Sequence, residues 1–178
     1  AIEGFGNVGE FAAKFLCEKG ATLVAVSDSK GTLVHHDGLD FSKVKQVKAE
    51  QKTVTKYGVG DVLDSKKILD VECDVLITAA VKDLIQLDDL ERLKFSLIVE
   101  GSNIPMRHEL EEILHTKGIL VIPDFVANAG GVISSYVEFT EGSVEEMWKM
   151  VEEKIVANTK EVLSQLTPEK CPRCVANV

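Results

Sequence analysis

The stretch Glu3-Gly4-Phe5-Gly6-Asn7-Val8-Gly9 decides how the rest of the chain is read. Its glycines have the Gly-x-Gly-x-x-Gly spacing of a turn that carries a strand into a helix around a dinucleotide. The flanks agree: Ala1-Ile2 is apolar, like the end of a strand, and Glu10 to Leu16 reads as the helix that follows. In such a turn Gly4 permits the sharp change of direction, Gly6 leaves room for a pyrophosphate against the backbone, and Gly9 lets helix and strand pack closely. The free N–H groups and positive dipole end of the helix would face the anion. Glycine triplets at this spacing also occur in plain loops, so the context has to carry the reading. Ala21 to Val26 reads as a second strand, and Asp28 follows it 19 residues after Gly9, where an acid would hold the hydroxyls of an adenine ribose.

Composition narrows the class. The chain has 178 residues, 45% of them hydrophobic, which suits one domain with a real core. Its net charge of −9 argues against nucleic-acid binding, which depends on clustered Lys and Arg. No apolar run approaches the roughly 20 residues that cross a bilayer, and no signal segment opens the chain, so a cytoplasmic protein is expected. Ala1-Ile2 is shorter than a buried strand of about five residues, so the first strand is expected to begin upstream of Ala1. The end at Val178 is equally abrupt.

Beyond Gly9 the pattern alternates apolar strands with amphipathic helices, the mark of an α/β fold. Ser27 to Asp40 is a turn-rich excursion that could form a small hairpin, Ser42 to Gln51 a helix, and Thr53 to Leu63 a loop. Cys73 to Ala80 is a continuous apolar strand of the kind buried on both faces of a parallel sheet. Leu87 to Leu93 is a short helix, Ser96 to Glu100 a strand, Met106 to Thr116 a helix, and Ile119 to Ile122 a strand stopped by Pro123. A helix from about Val132 to Thr140 precedes a long one, capped by Ser143 with Glu146 completing a capping box and running to about Gln165. The expected fold is α/β, a Rossmann-type doubly wound and mostly parallel sheet with helices on both faces. It would span residues 1–165, with 166–178 beginning a further segment.

The four cysteines are read as unpaired, in a reducing compartment. Cys17 and Cys73 behave as small core residues. Cys171-Pro172-Arg173-Cys174 has the spacing of a zinc or redox pair, but zinc wants two more ligands, and His35, His36, His108 and His115 form no second pair in the sequence. No metal is expected. The lysines from Lys43 to Lys52 read as a solvated face.

Strand tips in such a sheet point at one crevice, so the residues after Val26, Thr78, Glu100 and Ile122 are candidates as a group. Asn103 and Asn128 stand out, because an amide both donates and accepts. Gly4 to Gly9, Val24 to Gly31, Glu100-Gly101-Ser102-Asn103-Ile104-Pro105 and Pro123 to Val132 together resemble the glutamate dehydrogenases, in that family's order. The resemblance covers the coenzyme-binding half. It implies NAD(P)-linked oxidative deamination of L-glutamate to 2-oxoglutarate and ammonia, in a homo-oligomer whose catalytic residues lie in an earlier domain, so this chain alone would be inactive.

On that resemblance Gly6, Asn7 and Val8 meet the pyrophosphate and Asp28 the adenosine ribose, with Gly4, Gly9, Ser29 and Lys30 also among the coenzyme-binding residues. Ala79 and Ala80 lie beneath the coenzyme, and Asn103 and Asn128 hold the nicotinamide ribose and carboxamide. Ser135 matches a serine that binds the substrate's side-chain carboxylate, against the plainer role of a helix serine bonded to its own backbone. Related leucine, phenylalanine and valine dehydrogenases share the glycine turn and the Asn-Ala-Gly-Gly segment. A Rossmann module that binds nucleotide without chemistry is the alternative. Asp28 should repel a 2′-phosphate and so favours NAD, while Lys30 could attract one. Ile104 places a β-branched side chain in a tight loop.

Overall fold

The computed structural model describes residues 1–176. Seven strands form one sheet: β1 (Ile2–Glu3), β2 (Ala25–Asp28), β3 (Gly31–Val34), β4 (Asp61–Leu63), β5 (Val75–Thr78), β6 (Leu97–Glu100) and β7 (Leu120–Ile122). Their order is β4-β3-β2-β1-β5-β6-β7. β2, β1, β5, β6 and β7 run parallel, whereas β3 and β4 add an antiparallel edge. The helices are α1 (Asn7–Glu18), α2 (Phe41–Gln51), α3 (His108–Thr116), α4 (Asp124–Ala127), α5 (Gly130–Phe139), α6 (Val144–Ser164) and α7 (Pro172–Ala176).

The apolar strands are explained by burial on two sides. Successive residues of a strand point to opposite faces. Leu76 therefore joins one core with Ile98, Leu110 and Leu114, and Ile77 joins the other with Phe5, Ala13 and Val44. So α3 covers one face, and α1 and α2 cover the other. That is the doubly wound arrangement.

Several elements differ from the sequence reading. The second strand starts at Ala25 rather than Ala21, because β1 meets β2 only at Ile2 opposite Val26. A hairpin forms, but the second strand is one of its arms: Ala25 lies opposite Val34 and Asp28 opposite Gly31, so it begins before Ser27. Asp61–Leu63, read as loop, is the edge strand β4; all three residues are exposed, so burial left no alternating pattern to read. The helix expected from Leu87 shrinks to a single 3-10 turn, Leu87–Asp89, closed by a capping box between Gln86 and Asp89. Ser143 and Glu146 form the expected capping box, with the Ser143 amide donating to Glu146 (2.7 Å) and the Glu146 amide to Ser143 Oγ (3.2 Å).

Candidate functional site

The glycine turn lies where the sheet order reverses. β1 has β2 on one side and β5 on the other, so a crevice opens at their carboxyl ends. Backbone crowding explains two of the glycines. Gly4 has a φ of +87°, and a Cβ there would sit 2.4 Å from Ala80 Cβ; a Cβ on Gly9 would sit 2.0 Å from Gly4 O. Gly6 is different. An added Cβ at Gly6 meets no protein atom within 4 Å, and no side chain caps α1 there, so the first-turn N–H groups around Asn7 and Val8 are left to another acceptor.

The turn is held from beneath by residues the motif does not name. Ser27 accepts from the Gly4 amide on its Oγ (3.2 Å) and from the Phe5 amide on its carbonyl (2.7 Å). Glu3 Oε2 accepts from the amides of Ala79 and Ala80, each at 3.1 Å. Burial raises the Glu3 pKa, and those two amides pull the other way.

Above the turn is a cavity of about 510 Å³, whose walls include Gly4, Gly6, Asp28, Ser29, Lys48, Lys66 and Ala80. A hollow of about 520 Å³ at the opposite end of β1 is walled by Ala13, Leu16, Cys17 and the chain's amino terminus, far from the strand tips. The first opens on the N-terminus of α1, and its two lysines are each paired with a carboxylate, Lys48 with Asp28 and Lys66 with Asp89.

Asp28 lines this cavity with its carboxylate already engaged. Oδ1 accepts from the Lys30 amide (2.8 Å) and Thr53 Oγ1 (3.2 Å); Oδ2 accepts from Lys48 Nζ (2.6 Å) and the Val54 amide (2.9 Å). Four donors fill the acceptor sites of a carboxylate. Burial alone would raise its pKa, but Lys48 and the two amides outweigh that and hold it below the ordinary value. Lys48 thus leaves the solvated face assigned to its neighbours. The side chain of Lys30 is exposed and is not among the cavity walls.

Asn103 and Asn128 come together: Asn128 Nδ2 donates to Asn103 Oδ1 at 2.7 Å. They adjoin the glycine turn through Gly101, where an added Cβ would lie 3.4 Å from Val8 Cγ1. Ile104 takes a φ of +50°, a strained value for a β-branched residue. Its amide donates to Asp124 Oδ2 (2.9 Å) and its carbonyl accepts from the Asp83 amide (2.9 Å), which fixes the strained loop from both sides.

Asp124 belongs to a buried charge cluster that the sequence did not reveal. The Arg173 guanidinium donates to Glu111 Oε1 (2.6 Å), Glu100 Oε2 (2.8 Å) and Asp124 Oδ1 (2.8 Å). Three carboxylates on one cation leave excess negative charge. Burial, then the neighbouring Glu111 charge, push Glu100 up to about 8, and burial pushes Glu111 up to about 7, so the cluster titrates as a set. Asp124 stays low, because the Ile104 amide and Arg173 outweigh its burial. Ser135 is exposed on α5, and it is Ser134 that bonds back to the Gly131 carbonyl (2.8 Å).

Known proteins resemble this chain in sequence and in fold. Residues 1–176 match the family model described as glutamate/leucine/phenylalanine/valine dehydrogenase. A glutamate dehydrogenase of Aeropyrum pernix is 41% identical over 180 residues, spanning 96% of this chain and 43% of that protein. An NADP-specific glutamate dehydrogenase of Saccharolobus shibatae is 45% identical over 138 residues, spanning 78% of this chain and 33% of that one. The hetero-hexameric glutamate dehydrogenase of Thermus thermophilus, in its Leu-bound form, superposes with a TM-score of 0.86 at 26% identity, covering 98% of this chain and 43% of that one. The chain therefore spans less than half the length of these relatives.

Proposed function

Because this chain belongs to the glutamate/leucine/phenylalanine/valine dehydrogenase family, we propose that it is the coenzyme-binding part of an NAD(P)-dependent dehydrogenase acting on L-glutamate. The observation that carries the reading is the turn at Gly6: free helix amides face a position where an added Cβ meets no protein atom within 4 Å. That is the geometry a pyrophosphate needs. When bound, NAD(P) supplies the acceptor for hydride from the substrate α-carbon. The residues of this chain bind and orient it: the α1 amides at the pyrophosphate, Ala79 and Ala80 beneath, and the Asn103–Asn128 pair at the carboxamide and ribose.

Asp28 sits at the ribose end, but Lys48 neutralises it at 2.6 Å. Discrimination by Asp28 against a 2′-phosphate is therefore small. Both coenzymes are expected to bind. The substrate, 2-oxoglutarate as product, assembly as a homo-oligomer and a cytoplasmic setting are proposed from the same family. So are the role of Ser135 in holding the substrate carboxylate and the continuation of residues 166–178 toward a catalytic domain. No helix among the described residues is long and apolar enough to cross a membrane.

Calorimetric titration of the chain with NAD and NADP tests the reading. Affinities between micromolar and millimolar, about −8 to −4 kcal/mol, are expected for both. Gly6→Val should weaken them at least roughly tenfold, or about 1.4 kcal/mol, with an unchanged melting temperature. If the valine variant binds as well as the parent, the pyrophosphate does not lie on this turn.

A further inference from the structure

Cys174 lies far in sequence from α3, yet the fold seats it against one exposed edge of that helix. His108 and Glu112 are four residues apart there and share a face. Cys174 Sγ lies 4.0 Å from His108 Nε2 and 3.5 Å from Glu112 Oε1, and the latter two are 3.6 Å apart. We propose that these three side chains form a zinc site that clamps α7 onto α3.

The separations fit the metal. Bonds of about 2.3 Å to sulfur and 2.0–2.2 Å to nitrogen and oxygen, at tetrahedral angles, put ligand atoms roughly 3.3–3.6 Å apart. Small rotations of side chains close the longest edge. The donor set, one thiolate, one imidazole and one carboxylate, is the borderline mixture zinc accepts. His108 Nδ1 is closed off from solvent, which leaves Nε2 as the coordinating edge. Three protein ligands leave the fourth position to water on the solvent side, where the His108 and Glu112 side chains are about half exposed.

The clamp lies one residue from Arg173 and one from Glu111. It would therefore fix the helix that delivers the guanidinium to Glu100 and Asp124, and through Asp124 the Asn103 loop. Its lack of a second ligand pair in the sequence is a matter of chain distance alone; α3 supplies that pair in space.

Cobalt titration of the reduced 178-residue chain, followed by absorption, tests the site. One equivalent should bind with tetrahedral bands and a thiolate-to-cobalt charge-transfer band. Cys174→Ser should remove the charge-transfer band, His108→Ala and Glu112→Gln should each weaken binding at least roughly tenfold, and Cys73→Ser should change nothing. Circular dichroism verifies that each variant is folded. Zinc should also raise the melting temperature of the parent chain and leave that of Cys174→Ser unmoved. Absence of a charge-transfer band in the folded parent, or its survival in Cys174→Ser, overturns the proposal.

Discussion

The glycine turn and the asparagine loop adjoin each other across the strand tips, but they are built in opposite ways. At the turn, Gly4, Gly6 and Gly9 contribute by lacking side chains, and free backbone amides face the crevice. At the loop, Ile104, next to Asn103, is tied by its amide to Asp124 of a dense charge cluster, in which Arg173 reaches Glu111 and Glu100 across 62 and 73 residues of chain. The first region is sensitive to added atoms and the second to lost charge. A site of this kind combines an open anion cradle with a wall whose own charges are consumed internally.

Removing the shared cation should have the largest effect. Arg173→Met strips three buried carboxylates of their partner, and breaking a buried pair in this way costs about 3–5 kcal/mol. The denaturation midpoint should fall accordingly, and a neutral result would mean that the cluster contributes nothing to stability. On the other side, Gly9→Ala drives a Cβ into the Gly4 carbonyl, backbone that cannot rotate away. Overpacking of this type costs about 1–3 kcal/mol, and coenzyme binding should disappear with it. The contrast with Gly6→Val, which should spare stability, separates crowding from ligand space.

A third effect is a tilt with pH. Glu100 is raised from 4.5 to about 8, so the folded state holds its proton more tightly than the unfolded chain does. Stability from this group is complete below pH 4.5 and is lost as the pH rises toward 8. Asp28 and Asp124, both held low, act below that window. Every tenfold difference in proton affinity between the folded and unfolded chain corresponds to about 1.4 kcal/mol. Melting temperatures measured across the window should decline for the parent and decline less for Glu100→Gln; parallel curves would show that Glu100 is ionised throughout.

The legible parts of this protein share a cause. Gly4, Gly6 and Gly9 act within one short turn, and the strand Cys73 to Ala80 is buried on both faces, so spacing and composition alone record both. For Asn103 and Asn128 the sequence indicates only a shared location, which becomes a 2.7 Å hydrogen bond in the fold. Lys48 is hidden in a lysine run, and Arg173 between two cysteines whose spacing is more conspicuous. β4 leaves no pattern, because its side chains face solvent.

Local sequence determined the alternation of strands and helices and the glycine turn, since backbone conformation and one-sided or two-sided burial act on neighbouring residues. Only the tertiary structure decided where the charges settle: Asp28 on Lys48, three carboxylates on Arg173, and Cys174 beside His108 and Glu112. Ion pairing and ligand geometry depend on distance in space, and the chain brings these partners together only after the sheet has ordered its strands.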